Sequence, residues 1–314
     1  MWTIVFQRFT VLSLTCLVVS VLAFLVPYMH SADPARAILQ SRMADVGLDP
    51  DAVEALRIQL GLDRPLSVQY FEWLRSALKG DFGYSFINRQ PVGAEIARSL
   101  GVSVTLALSA LGLALAVALP LGTLVAVKQG KTLDNVVTFF TQTFVAIPEY
   151  WFAPLSILIF AIYLGVLPSA GWQGPSSVVL PAFVLSLRPM AYFTRVTRAA
   201  MIDVLEAPYI TAALSRGLSL GQTVRRHGVR NGAMPVVTLF ALWLAGLLGG
   251  SVVVEVIFSI PGMGRLIYEA VVNSDVPVLQ ASFVCIVGLS VAINTVADIV
   301  YILLNPAVRV GHVH

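Results

Sequence analysis

The sequence predicts an all-α integral membrane protein, and three observations carry that expectation. Of the 314 residues, 57% are hydrophobic and only 12% charged, with a mean hydropathy of +0.83. So little polar surface could not clothe a soluble globule of this length. Six apolar runs, at roughly 9–29, 99–127, 136–164, 178–200, 234–258 and 281–304, each reach the ~20 residues of helix that cross a hydrocarbon core. Finally, the short connection after the second run holds Lys128 and Lys131, and the one after the fourth holds Arg195, Arg198, Arg216, Arg225, Arg226 and Arg230.

Lys and Arg close to span ends resist translocation, so both basic connections are expected in the cytoplasm. An even number of spans then leaves both termini inside, with Arg8 before the first helix and Arg309 after the last. Residues 30–98, 165–177 and 259–280 face outward. The organisation that follows is residues 1–29 as cytoplasmic N-terminus and first span, 30–98 as an extracytoplasmic helical insertion, 99–304 as the transmembrane core with a cytoplasmic segment at 201–233, and 305–314 as a cytoplasmic tail. The net charge is +3 and the isoelectric point near 9.0. Its basic residues are split between a membrane-flanking loop and an acid-balanced outer segment, a distribution that argues against nucleic-acid binding. Cys16 and Cys285 fall inside spans without metal-type spacing and read as small packing residues.

The first run also has features of a signal peptide, since Arg8 precedes it and Ala35-Arg-Ala37 resembles a cleavage site. Its length suits a retained span. In the outer insertion, Asp49 as N-cap and Pro50 at the first helical position open a helix with Val53, Leu56 and Leu60 on one face and Gly61 as terminator. Ser67 opens a second, with Val68, Phe71, Leu74 and Leu78 aligned and Gly80 ending it. Two helices this short must pack on something, and the outer ends of the spans are the expected support.

Ionisable residues within spans are costly and normally face the protein interior or a water-filled path. Glu149 follows Pro148 in the middle of the third run, with Pro154 close behind, a pattern that predicts a distorted helix whose freed carbonyls line a cavity. Arg188 beside Pro189 in the fourth run is a similar case, for which an acidic partner is expected. Both are candidates to line a pathway. Glu255 and Asp298 lie near span ends and read as structural. Gly246, Gly249 and Gly250 permit close helix approach in the fifth run.

Between the fourth and fifth runs, Pro208 begins a short helix with Ile210, Ala213 and Leu214 on one face, and Gly217 supplies its C-terminal turn. Ser219-x-x-Gln222 reads as a capping box for a second helix rising into the membrane. The apolar face suits a groove on a partner, with Arg216, Arg225 and Arg226 setting register by charge. The competing reading is an interfacial helix bound to anionic membrane lipid.

The same stretch carries a family resemblance. Tyr209-Ile-Thr211-Ala212-Ala213, then Gly217, Arg225-Arg226-His227, Arg230-Asn231 and Pro235 resemble the loop by which permease subunits of ABC importers engage their ATPases. Gly61-Leu-Asp-Arg-Pro-Leu66 with Gln69-Tyr70 and Trp73-Leu74, and Gly80-Asp-Phe-Gly-Tyr-Ser85 with Pro91-Val92, resemble the outer region of the binding-protein-dependent permeases for peptides and nickel. So do Leu180-Pro-Ala182 through Thr197-Arg-Ala199 and Met201, Glu255 with Phe258-Ser-Ile-Pro-Gly-Met-Gly-Arg265, and Asp275-x-Pro-Val-x-Gln280. These stretches keep their order along most of the chain. Thr211 stands where the ATPase-contact motif often has Glu, which fits the peptide branch. Asn305-Pro306 with Arg309 departs from Asp-Pro-x-x-Arg and concerns a local cap.

The resemblance implies a six-span permease of the type I ABC importer architecture, working by alternating access. It further implies a second homologous permease subunit, two cytoplasmic ATPase subunits and an extracytoplasmic solute-binding protein, in the inner membrane of a bacterium or archaeon. Tyr209, Thr211, Ala212, Ala213, Arg216, Gly217, Arg225 and Arg226 would form the ATPase-coupling surface. No cofactor is expected in this chain, with ATP and magnesium bound by the partner ATPases. Gly130-Lys-Thr132 mimics the end of a phosphate-binding loop, but Val125 occupies the position of its first glycine. The four histidines, His30, His227, His312 and His314, are scattered and pair with no nucleophile or metal-type motif. The chain is therefore expected to be a non-catalytic subunit. Di- or oligopeptides are the expected cargo, with nickel or a metal chelate as the alternative and glutathione-like or opine-like solutes behind. An ion-coupled carrier or channel using Glu149 is the alternative of another class.

Overall fold

The computed structural model describes residues 2–29, 35, 39, 50–59 and 61–304. Asp49, Leu60, His30, His312, His314 and the motif at Asn305, Pro306 and Arg309 lie outside the described residues, as does the expected tail. The side chains of Arg8, Leu56 and Arg230 are likewise outside the description. The chain forms two compact units, Met1–Ser103 with Pro261–Ala292 and Val104–Ile260 with Ile293–His314.

The first unit contains α1 (Trp2–Met29), α2 (Pro50–Gln59), α3 (Leu66–Ala77), the beginning of α4 (Val92–Val127), α13 (Met263–Val272) and most of α14 (Val276–Leu304). Its core joins Val92 and Ile96 of α4 to Met263 and Ala270 of α13 and to Val278, Ala281 and Ile286 of α14. The Met263 amide, an orphan donor at a helix start, donates to the Ser103 hydroxyl at 2.8 Å. Two expectations shift here. Helix α4 begins at Val92, inside the segment expected to be insertion, and α3 begins at Leu66 behind Pro65, without a side-chain cap from Ser67.

Helix α3 also presents a different face from the one expected. Phe71 is 66% and Leu78 81% exposed, while Tyr70 and Trp73 pack on Phe24 of α1, with ring centroids 5.5 and 6.0 Å away. The Tyr70 hydroxyl and Ser20 share a 2.8 Å hydrogen bond. An aromatic with a polar tip needs a partner for that tip when it packs, and α1 supplies one where Tyr70 points. Beyond α3 the chain makes a tight hairpin. Gly80 and Gly83 adopt φ of 80° and 77°, the Gly83 amide donates to Asp81 at 3.0 Å, and the Val92 amide donates to the Gly83 carbonyl at 3.0 Å. A Cβ on Gly93 would sit 2.9 Å from the Gly80 carbonyl oxygen, so that approach requires glycine.

The second unit holds the rest of α4 together with α5 (Thr132–Ala146), α6 (Glu149–Ser156), α7 (Pro175–Leu205), α8 (Pro208–Ser215), α9 (Leu220–Thr223), α10 (Val229–Gly232), α11 (Met234–Gly250) and α12 (Val252–Ile257). The third apolar run is not the single helix expected. It breaks at Ile147-Pro148, where α5 and α6 meet at a 99° bend. The residue before proline is pushed to extended geometry, and Ile147 sits at φ −77°, ψ 123°. Glu149 therefore opens α6 rather than standing mid-helix, and α6 continues as a π-helical stretch over Ile157–Tyr163. The fifth run also divides, at Ser251 between α11 and α12. Among the described residues, three helices are individually long and apolar enough to cross a membrane: α4, α7 and the Val276–Ile299 portion of α14. The bent pair α5–α6 qualifies as a fourth span if taken together, and Phe9–Leu25 and Pro235–Gly250 are shorter apolar helices.

Candidate functional site

Helix α8 begins where the sequence places it, with Pro208 at its first position. Gly217 at φ 86° provides the left-handed turn after it. Ser219 and Gln222 form the reciprocal capping box that opens α9, with the Gln222 amide donating to Ser219 at 3.3 Å and the Ser219 amide to Gln222 at 3.0 Å. The expected continuous second helix is instead interrupted by a π-helical turn, Val224–Gly228, which carries Arg225 and Arg226 outward. Such a turn widens the helix and re-aims side chains that an unbroken α-helix would present elsewhere.

The expected apolar face of α8 divides. Ile210 and Ala213 are buried within this chain, at 1% and 0% exposure, whereas Leu214 is 40% exposed. The Ala213 carbonyl accepts from the amides of Arg216 and Leu218, closing the turn beneath the helix. What the segment offers outward is Tyr209, Thr211, Ala212, Leu214 and Arg216, followed by Gly217 and the two arginines of the π turn. Tyr209 is steadied by the Asn231 amide at 3.2 Å, and Arg216 folds back to donate to the Ala212 carbonyl at 3.1 Å. Thus Ala213 is not available to a partner, because the chain itself covers it.

Behind this elbow stands the end of α7. Met201 is fully buried against Gly228 and Gly232, where added Cβ atoms would lie 3.0 Å and 2.5 Å from its side chain. One turn earlier, Arg198 makes a fork on Asp134, with Nε to Oδ1 at 2.7 Å and Nη2 to Oδ2 at 2.6 Å. The Gly130 amide also donates to Asp134 at 2.9 Å. Closer to the membrane core, a Cβ on Gly122 would meet the Thr194 carbonyl and Thr197 Cβ at 2.7 Å, so α4 and α7 touch backbone to backbone there. Arg198 was read from the sequence as a loop charge, and Asp134 was not singled out. The signal for them was weak. Only an unpaired acid at a helix start and an arginine inside a helical run suggested a partnership, across 64 residues.

Glu149 and Arg188 line one small cavity with Phe144 and Phe152. The cavity is about 10 Å³, room for one water at most. The Glu255 carboxylate is fully buried and accepts from the Ser251 hydroxyl at 2.8 Å, a structural arrangement. Among the described residues no three His, Cys, Asp or Glu side chains gather into a metal-binding group.

The elbow and its bracing helix α7 both have counterparts in the resemblance the sequence suggested. The family profile described as binding-protein-dependent transport system inner membrane component matches residues 118–310. Its N-terminal companion matches residues 1–108. The chain belongs to this family. A putative peptide transport system permease protein of Brucella abortus (strain 2308) is 36% identical over 301 residues, covering 93% of this chain and 94% of that protein. The glutathione transport system permease protein GsiC of Escherichia coli (strain K12) is 36% identical over 305 residues, covering 97% and 98%. Among solved structures, an inward-facing MetNI methionine ABC transporter matches with a TM-score of 0.57 and 19% identity, covering 67% of this chain and 96% of that one. That likeness concerns fold alone. The permease is accordingly a multi-pass inner-membrane subunit with the all-α architecture of type I ABC importers.

Proposed function

We propose that this permease moves di- or oligopeptides inward, pairing with a second, homologous permease and with two cytoplasmic ATPases that bind ATP and magnesium. A solute-binding protein delivers the cargo from outside. The observation that carries the cargo assignment is the alignment of permeases named for peptide and glutathione transport along 93% and 97% of this chain. Both termini and the 201–233 segment lie in the cytoplasm in this reading, consistent with the basic connections flanking α5 and α8. Six spans are counted by taking α1, α4, the bent pair α5–α6, α7, α11 with α12, and α14 as one crossing each.

In the proposed cycle, nucleotide binding closes the ATPases, and their surface pushes on the outward face of α8 formed by Tyr209, Thr211, Ala212 and Arg216. Gly217 and the arginines of the π turn hold the register. The attached helices shift, and a central path alternates between outward and inward opening. Glu149 and Arg188 line that path, a charged pair suited to a cargo carrying both an ammonium and a carboxylate. The chain itself catalyses nothing.

Two measurements test this. The partner binding protein, isolated with its bound solute, is examined by mass spectrometry and calorimetry. The assembled transporter in proteoliposomes is then supplied with a labelled dipeptide, a labelled tetrapeptide or nickel. Peptide uptake that requires ATP supports the assignment. Nickel uptake in its place overturns the cargo, and uptake by this chain alone under an ion gradient overturns the ATP-driven reading.

A further inference from the structure

We propose that the Arg198–Asp134 fork is the positioning strut that makes the α5 end and the α4–α5 connection move as one body with the coupling elbow. The inference rests on the elbow being where the ATPase pushes, and extends it by naming how the push leaves α7.

Three features point to a strut. Asp134 is only 3% exposed, yet both of its oxygens are engaged, by Arg198 Nε and Nη2 at 2.7 and 2.6 Å. A bidentate guanidinium–carboxylate pair constrains orientation as well as distance, which a single-point contact does not. One of those oxygens also takes the Gly130 amide, at 2.9 Å, in the turn before α5. Gly130 is at φ 74°, so the turn itself is held by the same carboxylate that grips α7. On the other side of Arg198, Met201 fills the space left by Gly228 and Gly232 in the elbow. Within one turn of α7, therefore, an apolar socket fastens the elbow and an ionic fork fastens α5. Close-packed interiors transmit displacement instead of absorbing it. The fork joins two helices with one partner buried, whereas the pair Arg265–Glu269 lies within one helix and Arg64–Glu72 is exposed on both sides. A stability role alone would be served as well by apolar residues of similar volume.

The test uses the full transporter in nanodiscs, with Cys16 and Cys285 replaced by Ser and reporter pairs at exposed Gln129 and Ser215 for pulsed electron–electron distance measurement. In the otherwise unaltered protein, the Gln129–Ser215 distance should stay constant between nucleotide-free and ATP-trapped states. A change in that distance shows that the fork opens during the cycle and overturns the strut. Asp134→Asn and Arg198→Lys should keep the ATPases bound and hydrolysing while uptake falls by about tenfold or more, a loss within the ordinary range of coupling between sites. The same variants should let the reporter distance vary. Uptake within about twofold of the parent, with the complex intact, also overturns the proposal. Loss of ATPase binding in an Ala212→Trp control tells whether the elbow is the docking surface at all, so failure of that reading is seen separately. Should either fork variant not reach the membrane, the constancy of the distance in the parent protein still decides the question.

Discussion

Ser85 donates its hydroxyl to Asp275, 190 residues further along the chain, across 2.5 Å. The same carboxylate accepts the Phe86 amide at 3.2 Å and is 4% exposed. Two stretches singled out separately in the sequence, the hairpin ending at Ser85 and the segment opening at Asp275, are thus one piece of structure. Asp275 sits just before α14 and pins the hairpin to the start of that helix.

Removing this carboxylate should loosen the first unit. Asp275→Ala leaves a buried hydroxyl and amide without their acceptor, a cost of about 1–3 kcal/mol. A lower melting temperature of the detergent-purified permease is expected, with faster proteolysis in the 80–92 hairpin. Asp275→Asn, which keeps an acceptor oxygen, should fall between. An unchanged melting temperature for the Ala variant would mean the hydrogen bonds are not formed in the membrane.

Gly122 and Gly246 should respond in opposite ways. A methyl group at Gly122 meets the Thr194 carbonyl and Thr197 at 2.7 Å, whereas one at Gly246 meets nothing in this chain within 4 Å. Gly122→Ala is expected to destabilise by about 1–3 kcal/mol through overpacking of α4 on α7. Gly246→Leu should leave the isolated chain as stable as before. If the second permease packs on that face, Gly246→Leu lowers the yield of the two-permease complex on size-exclusion chromatography.

The exposed and buried faces of α8 should separate coupling from folding. Thr211→Trp and Arg225→Glu with Arg226→Glu alter only outward residues and should abolish co-purification of the ATPases with normal membrane levels. Ala213→Leu, at a position with no exposure, should instead lower the amount of permease in the membrane. Gly217→Val strains a left-handed turn by about 1–2 kcal/mol and should reduce ATP-driven uptake by disordering the elbow. Normal uptake and ATPase stimulation in the double Glu variant would remove the elbow from the mechanism.

Glu149→Gln tests the pathway. The substitution keeps shape at the mouth of α6 while removing the charge that faces Arg188. Uptake of a zwitterionic peptide should drop by about tenfold, or roughly 1.4 kcal/mol, with ATPase binding unchanged. Equal uptake by the parent and the Gln variant makes the carboxylate structural.

Much of this molecule was written in local chemistry. Pro208, Gly217 and the Ser219–Gln222 box mark α8, its turn and the start of α9, because caps and turns depend on residues adjacent in sequence. The break after Ile147 was only half legible. Proline signalled distortion, but whether a proline bends a helix slightly or ends it depends on what the following segment packs against. Leu214 and Phe71 went astray for a related reason. Apolar spacing identifies a stripe, whereas which part of the stripe is covered depends on neighbours far off in the chain.

The sequence by itself determined the membrane class, the start, turn and capping box of the elbow at α8 and α9, and the family, since each follows from composition or from contiguous residues. Only the tertiary structure decided that Arg198 grips Asp134, that Met201 plugs the space at Gly228 and Gly232, and that Ser85 meets Asp275. Those contacts join residues brought together by packing, where directional hydrogen bonds and backbone close approaches select one partner among many compatible ones.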